Sequence, residues 1–98
     1  MRAASAALLA VLATAPAAAS EFGVLHEAPG VEETYYTCTA CHSEMIVAQQ
    51  GLTRERWDHM LDWMVEEQGM PELEPERRET ILDYLAEHYN TDRPNFPR

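Results

Sequence analysis

A chain of 98 residues leaves room for one small domain, and 17 acidic against 7 basic side chains give it a formal charge of −10. Every cation is an arginine, with none gathered beyond a pair, which excludes a surface built to neutralise nucleic-acid phosphates. An acidic surface suits a basic protein partner, or simply solubility.

Residues 1–20 read as an export leader. Arg2 supplies a positive start, an alanine- and leucine-rich run follows, and Ala17-Ala18-Ala19-Ser20 offers the small residues a signal peptidase accepts. The other reading is a retained membrane anchor, but the run is short for a span of about 20 residues and no basic cluster follows it. Cleavage is expected after Ala19 or Ser20, giving a periplasmic protein with no permanent membrane span. The domain then covers residues 21–98, and losing Arg2 takes its charge to −11. So short a chain buries a thin core and needs a staple, such as a disulfide, a metal or a bound group.

Glu21 to Gly30 shows no clean period and reads as an extended arm. Val31, Tyr35 and Cys38 fall at i, i+4 and i+7, which predicts a short helix running into Cys38-Thr39-Ala40-Cys41-His42. Ser43 to Gln50 reads as a helical turn or loop that Gly51 breaks. Thr53 is a predicted N-cap for a helix over Arg54 to Gln68, whose apolar stripe is Trp57, Met60, Leu61, Met64 and Val65. Gly69 sits where a C-terminal cap belongs. Pro75 opens a second long helix, to about Asn90, with Ile81, Tyr84, Leu85, His88 and Tyr89 along one side. Asp92 to Arg98, with two prolines, reads as a tail. No segment alternates with period two, so the predicted class is all-α.

Cys38-x-x-Cys41-His42 is the attachment signature of c-type haem. Two thiols must add across vinyl groups on neighbouring pyrroles of one porphyrin, and residues three apart on a helical turn share a face. The next residue, His42, then reaches the iron from the proximal side. The motif uses both cysteines in the chain. The competing readings are a redox Cys-x-x-Cys pair, which belongs in a βαβ context, and half of a zinc site, for which His26, His59 and His88 show no ligand spacing.

For the second axial position the sequence offers Met45, Met60, Met64, Met70, His26, His59 and His88. Met45 is three residues past His42, too close to reach the far side of a ring. Met60 and Met64 lie on an apolar helical stripe, where methionine is commonly core filler. Met70 follows the Gly69 break and precedes Pro71, so an extended backbone is free to point its thioether inward.

In these features the chain resembles the class I bacterial cytochromes c. There, a short helix leads into the haem motif, a loop methionine often followed by proline binds iron, and a C-terminal helix crosses the N-terminal one. Cys38 to His42, Met70-Pro71 and the helix containing Ile81 to Tyr89 match in order. The resemblance implies three to four helices around one covalently bound haem c, with Met70 opposite His42. One feature departs from it: many members carry Gly-Pro soon after the haem histidine, and here no proline lies between His42 and Pro71. A carbonyl near Gln50 to Leu52 is the expected substitute for orienting the imidazole.

A narrower likeness runs through Cys38 to Ser43, Arg56-Trp57, Trp63-Met64-Val65, Gln68-Gly69-Met70 and Ile81 to Ala86. It is similar to the small monohaem subunit of periplasmic sulfite dehydrogenases. That likeness implies an electron-transfer subunit rather than an enzyme in its own right. Electrons would arrive from a molybdenum-containing sulfite dehydrogenase and leave to a downstream cytochrome or oxidase. The alternatives are a freely diffusing shuttle for another periplasmic dehydrogenase, and a haem sensor or small haem enzyme with an open distal site.

Several other residues carry expectations. Trp57 is expected in the core against the bound group. Trp63 lies about 120° off the Trp57–Val65 stripe, and suits either the other side of that group or a docking surface. Arg54 and Arg56 suit carboxylate groups of a ligand, or intrahelical partners. Glu72, Glu74, Glu76 and Glu79 around Arg77 and Arg78 read as a solvated face. Tyr35 and Tyr84 are expected to meet where the terminal helices cross.

Overall fold

The computed structural model describes residues 21–94 and, before them, Ala7 alone. The expected leader, apart from Ala7, and residues 95–98 of the tail lie outside the described residues. Among the described residues there are four helices and no strand: α1 (Val31–Cys38), α2 (Met45–Ala48), α3 (Arg54–Gln68) and α4 (Pro75–His88). The fold is all-α, and among the described residues no helix is long and apolar enough to cross a membrane.

Local chemistry fixes the helix ends. Thr53 has extended backbone and its hydroxyl accepts from the Arg56 N–H at 3.2 Å, satisfying one of the free donors at the start of α3. Pro75 sits in the first turn of α4, where its missing N–H costs nothing. Gly69 closes α3 at φ 75°, in the left-handed region that glycine enters freely. Gly30 precedes α1 at φ 95°, and a Cβ there would lie 2.8 Å from Tyr84 Cβ and 3.1 Å from the Thr80 carbonyl. The absent side chain is therefore what lets the start of α1 press against α4.

α4 is the central element, packed against both α1 and α3. Its buried face, Ile81, Leu82, Tyr84 and Leu85, meets Val31 and Cys38 of α1 and Trp57 and Leu61 of α3 in one core. Each large aliphatic chain so buried contributes roughly 1.5–3 kcal/mol. Polar atoms in this core are matched. The Trp57 indole N–H donates to the Tyr89 carbonyl at 2.9 Å, which also accepts from the Leu52 N–H at 3.0 Å. The Tyr84 hydroxyl donates to the His26 carbonyl at 2.6 Å, and the His26 N–H donates to the Tyr89 hydroxyl at 3.0 Å. Burial, chiefly, pushes the Tyr84 phenol above its ordinary range.

Several sequence expectations change here. The arm over residues 21–30 is a series of turns rather than extended chain, because Leu25 is drawn into the core and Phe22 packs edge-on against Tyr35 and Tyr36. Tyr35 meets the Phe22 and Tyr36 rings edge-on and Tyr84 lies against the His88 and Tyr89 rings, while the close approach of the start of α1 to α4 is that of Gly30 to Tyr84. Arg78 is no part of a solvated face. Half-buried, it bonds Asp58 at 2.7 Å and Asp62 at 2.9 Å across to α3, and the Asp58 hydrogen bond above all keeps its guanidinium charged. Arg54 pairs with Glu79 and Asp83 on α4, not within its own helix. Arg93, assigned to the tail, is buried, donates to the Ala48 carbonyl and lies over the Tyr89 ring.

Candidate functional site

α1 ends at Cys38, and its cap residue Thr39 bonds back to the Tyr35 carbonyl through both its N–H and its hydroxyl. The chain then turns, so Cys41 and His42 lie beyond the helix rather than on a continuation of it. Even so, Cys38, Cys41 and His42 all face one cavity of about 360 Å3. Thr37 and Ile46 extend this wall. The opposite side comes from α3 and the residues after it: Met60, Trp63, Met64, Gln68 and Met70. The end of α1, the motif and Ile46 of α2 thus meet α3 and its C-terminal turn across a hollow within the size range of small-molecule and cofactor pockets.

The left-handed cap brings Met70 to this hollow. The N–H groups of Gly69 and Met70 both donate to the Met64 carbonyl, the latter at 3.0 Å. The turn folds Met70 back beside the last turn of α3, where its side chain is buried. Of the seven candidates for a second axial position, Met60, Met64 and Met70 line the cavity, and Met70 is the most buried of the three. Met45 is exposed and outside the lining. His59 lies in a neighbouring groove. His26 and His88 stack on each other, with ring centroids 4.7 Å apart, at a separate hollow near Arg93.

Chemically the lining is soft and nearly free of charge. It offers two thiols, three thioethers and one imidazole among apolar walls. Burial pushes the Cys38 thiol up to about 11, so it is protonated at neutral pH, while Cys41 is exposed. The half-buried His42 has its Nδ1 3.1 Å from the Ser43 carbonyl, which accepts when that nitrogen carries the proton. The carbonyl beside the imidazole is therefore that of its own neighbour, not one from Gln50 to Leu52.

Trp57 is buried as expected but does not line the cavity; its indole is turned to Tyr89. Trp63 does line it and is also 50% exposed, so its side chain spans the cavity wall and the surface. Thr37 and Ile46 line the cavity without having been marked by any sequence motif, whereas Gln68 entered only as part of the Gln68-Gly69-Met70 likeness. Ile46 gave the only available hint, as an apolar residue four positions after His42. Among the described residues no three His, Cys, Asp or Glu side chains group closely enough to hold a bare metal ion. No family model matches the chain, and neither a curated protein nor a solved structure matches it.

Proposed function

We propose that this chain is an exported electron carrier with one c-type haem, joined through thioethers to Cys38 and Cys41 and bound at iron by His42 and Met70. A single observation carries the reading. One cavity is lined at once by both motif cysteines, the motif histidine and a thioether delivered from 28 residues further along the chain. The donor set fits the group: two thiols for two vinyl carbons, an imidazole and a methionine for two axial positions, and apolar walls for a porphyrin. When bound, haem c supplies a one-electron couple, which methionine opposite histidine raises in potential.

The chain's own residues do the rest. Cys38 and Cys41 would keep the group from leaving an exported protein. His42, oriented by the Ser43 carbonyl, and Met70, oriented by the Gly69 cap, would fill both axial positions, leaving no place for a substrate. The chain then moves electrons and catalyses no bond chemistry alone. Met60 and Met64 would pack against the ring. Ile46 and Trp63, each about half exposed at the edge of the cavity, give a partner an apolar contact close to the bound group.

Likeness to the monohaem subunits makes a molybdenum-containing sulfite dehydrogenase the proposed donor and a downstream cytochrome or oxidase the acceptor, both in the periplasm. A net charge of −10 favours a basic surface around the donor's exit. Purification from the native periplasm tests this. Recovery with a molybdenum enzyme that reduces the cytochrome on addition of sulfite is expected. Recovery with an enzyme of other chemistry, or no reduction by sulfite, would leave only the role of electron carrier.

A further inference from the structure

Beside the cavity runs a second hollow, a groove of about 560 Å3 lined by Leu52, Arg56, His59, Met60 and Trp63. Positions 56, 59, 60 and 63 follow helical spacing, so they form one stripe along α3. The groove shares Met60 and Trp63 with the motif cavity but none of the motif residues, so it opens from the α3 side of that cavity. In a chain with 17 acidic residues, its lining holds two basic side chains and no carboxylate.

Arg56 differs from the other described arginines. Arg54 is held by Glu79 and Asp83, Arg78 by Asp58 and Asp62, Arg77 reaches the Thr37 hydroxyl, and Arg93 is buried against Ala48 and Tyr89. Among the described residues, none makes a hydrogen bond or ion pair with the exposed Arg56 guanidinium. A guanidinium presents a planar fork that matches a carboxylate in two parallel hydrogen bonds. Haem c carries its two propionates on the edge opposite the one joined to the cysteines, so a ring tethered at Cys38 and Cys41 turns its carboxylates away from the motif.

We infer that Arg56, with His59 beside it, receives those carboxylates and positions the far edge of the ring, whereas Arg54, the other sequence candidate, does not. The inference rests on the haem reading above. Its consequence is electrostatic: a cation held near the propionates disfavours the oxidised, more positive iron.

The test uses the matured, haem-loaded protein and reads the reduction equilibrium against a mediator dye, with no partner enzyme. Arg56→Gln should shift that equilibrium about threefold towards the oxidised form, about 30 mV at 59 mV per tenfold. Arg56→Lys, which keeps the charge and loses the fork, should recover more than half of the shift. Arg54→Gln, whose charge is already matched on α4, should move it less than 1.5-fold. A shift below 1.5-fold in Arg56→Gln, or an equal shift in Arg54→Gln, overturns the inference while the haem reading stands. Wild-type protein that carries no haem overturns both.

Discussion

Gly69 links the architecture to the site, and replacing it tests that link. Its backbone is left-handed, at φ 75°, and a Cβ built there meets nothing within 4 Å. Gly69→Ala therefore costs conformational strain alone, about 1–2 kcal/mol. For a domain of this size each kcal/mol lowers the melting temperature by about 4–8 °C. Asparagine enters the left-handed region more readily, so Gly69→Asn should recover most of the loss. Gly30→Ala carries the same backbone penalty and adds a 2.8 Å overlap with Tyr84 Cβ and a 3.1 Å approach to the Thr80 carbonyl. Overpacking of that kind costs roughly 1–3 kcal/mol more, so this variant should be clearly the worse of the two. Urea unfolding followed by circular dichroism separates the cases. A neutral Gly69→Ala, or a Gly30→Ala no worse than it, would refute the argument.

In the oxidised, haem-loaded protein, Met70→Ala should abolish the weak far-red band of methionine–iron bonding, whereas Met60→Ala and Met64→Ala should keep the band and lose roughly 2 kcal/mol or more through cavities. Loss of the band in Met64→Ala alone would move the ligand to that residue. Before haem attachment, Cys38 should make stability depend on pH. Its thiol is raised to about 11 when folded, above its value of about 8.5 in an unfolded chain. The folded state therefore holds that proton more tightly, and this stabilisation is complete below about pH 8.5 and lost as pH rises through 11. Urea midpoints at pH 8 and pH 10.5 should differ more in the wild type than in Cys38→Ala. Trp63→Ala should slow electron transfer from the donor several-fold, read by stopped-flow absorbance, and leave the haem spectrum unchanged.

Much of the architecture was legible in the sequence because its signals are local. The Thr53 cap, the Gly69 break, Pro75 and the 3.6-residue stripes delimit α3 and α4 within a residue or two of their observed ends. The three motif residues are legible from spacing alone. The rest depends on tertiary placement. Which methionines face the motif follows from how α1 and α3 each pack against α4, and no local pattern encodes that packing. The pairing of Arg54 and Arg78 with carboxylates on another helix is invisible for the same reason, as is the burial of Arg93 from a stretch that reads as tail. The arm over residues 21–30 lacked periodicity because its order comes from side chains elsewhere, Tyr84 and Tyr89 gripping the His26 backbone.

Covalent attachment of haem at Cys38 and Cys41 can be read from mass and colour. The full chain, exported in a host carrying haem-maturation machinery, should give a red protein whose mass exceeds the polypeptide by one haem. Its colour should stay with the protein on acid–acetone extraction. Cys38→Ala with Cys41→Ala should abolish that attachment. A colourless wild-type protein, or haem that extracts freely from it, would contradict the account.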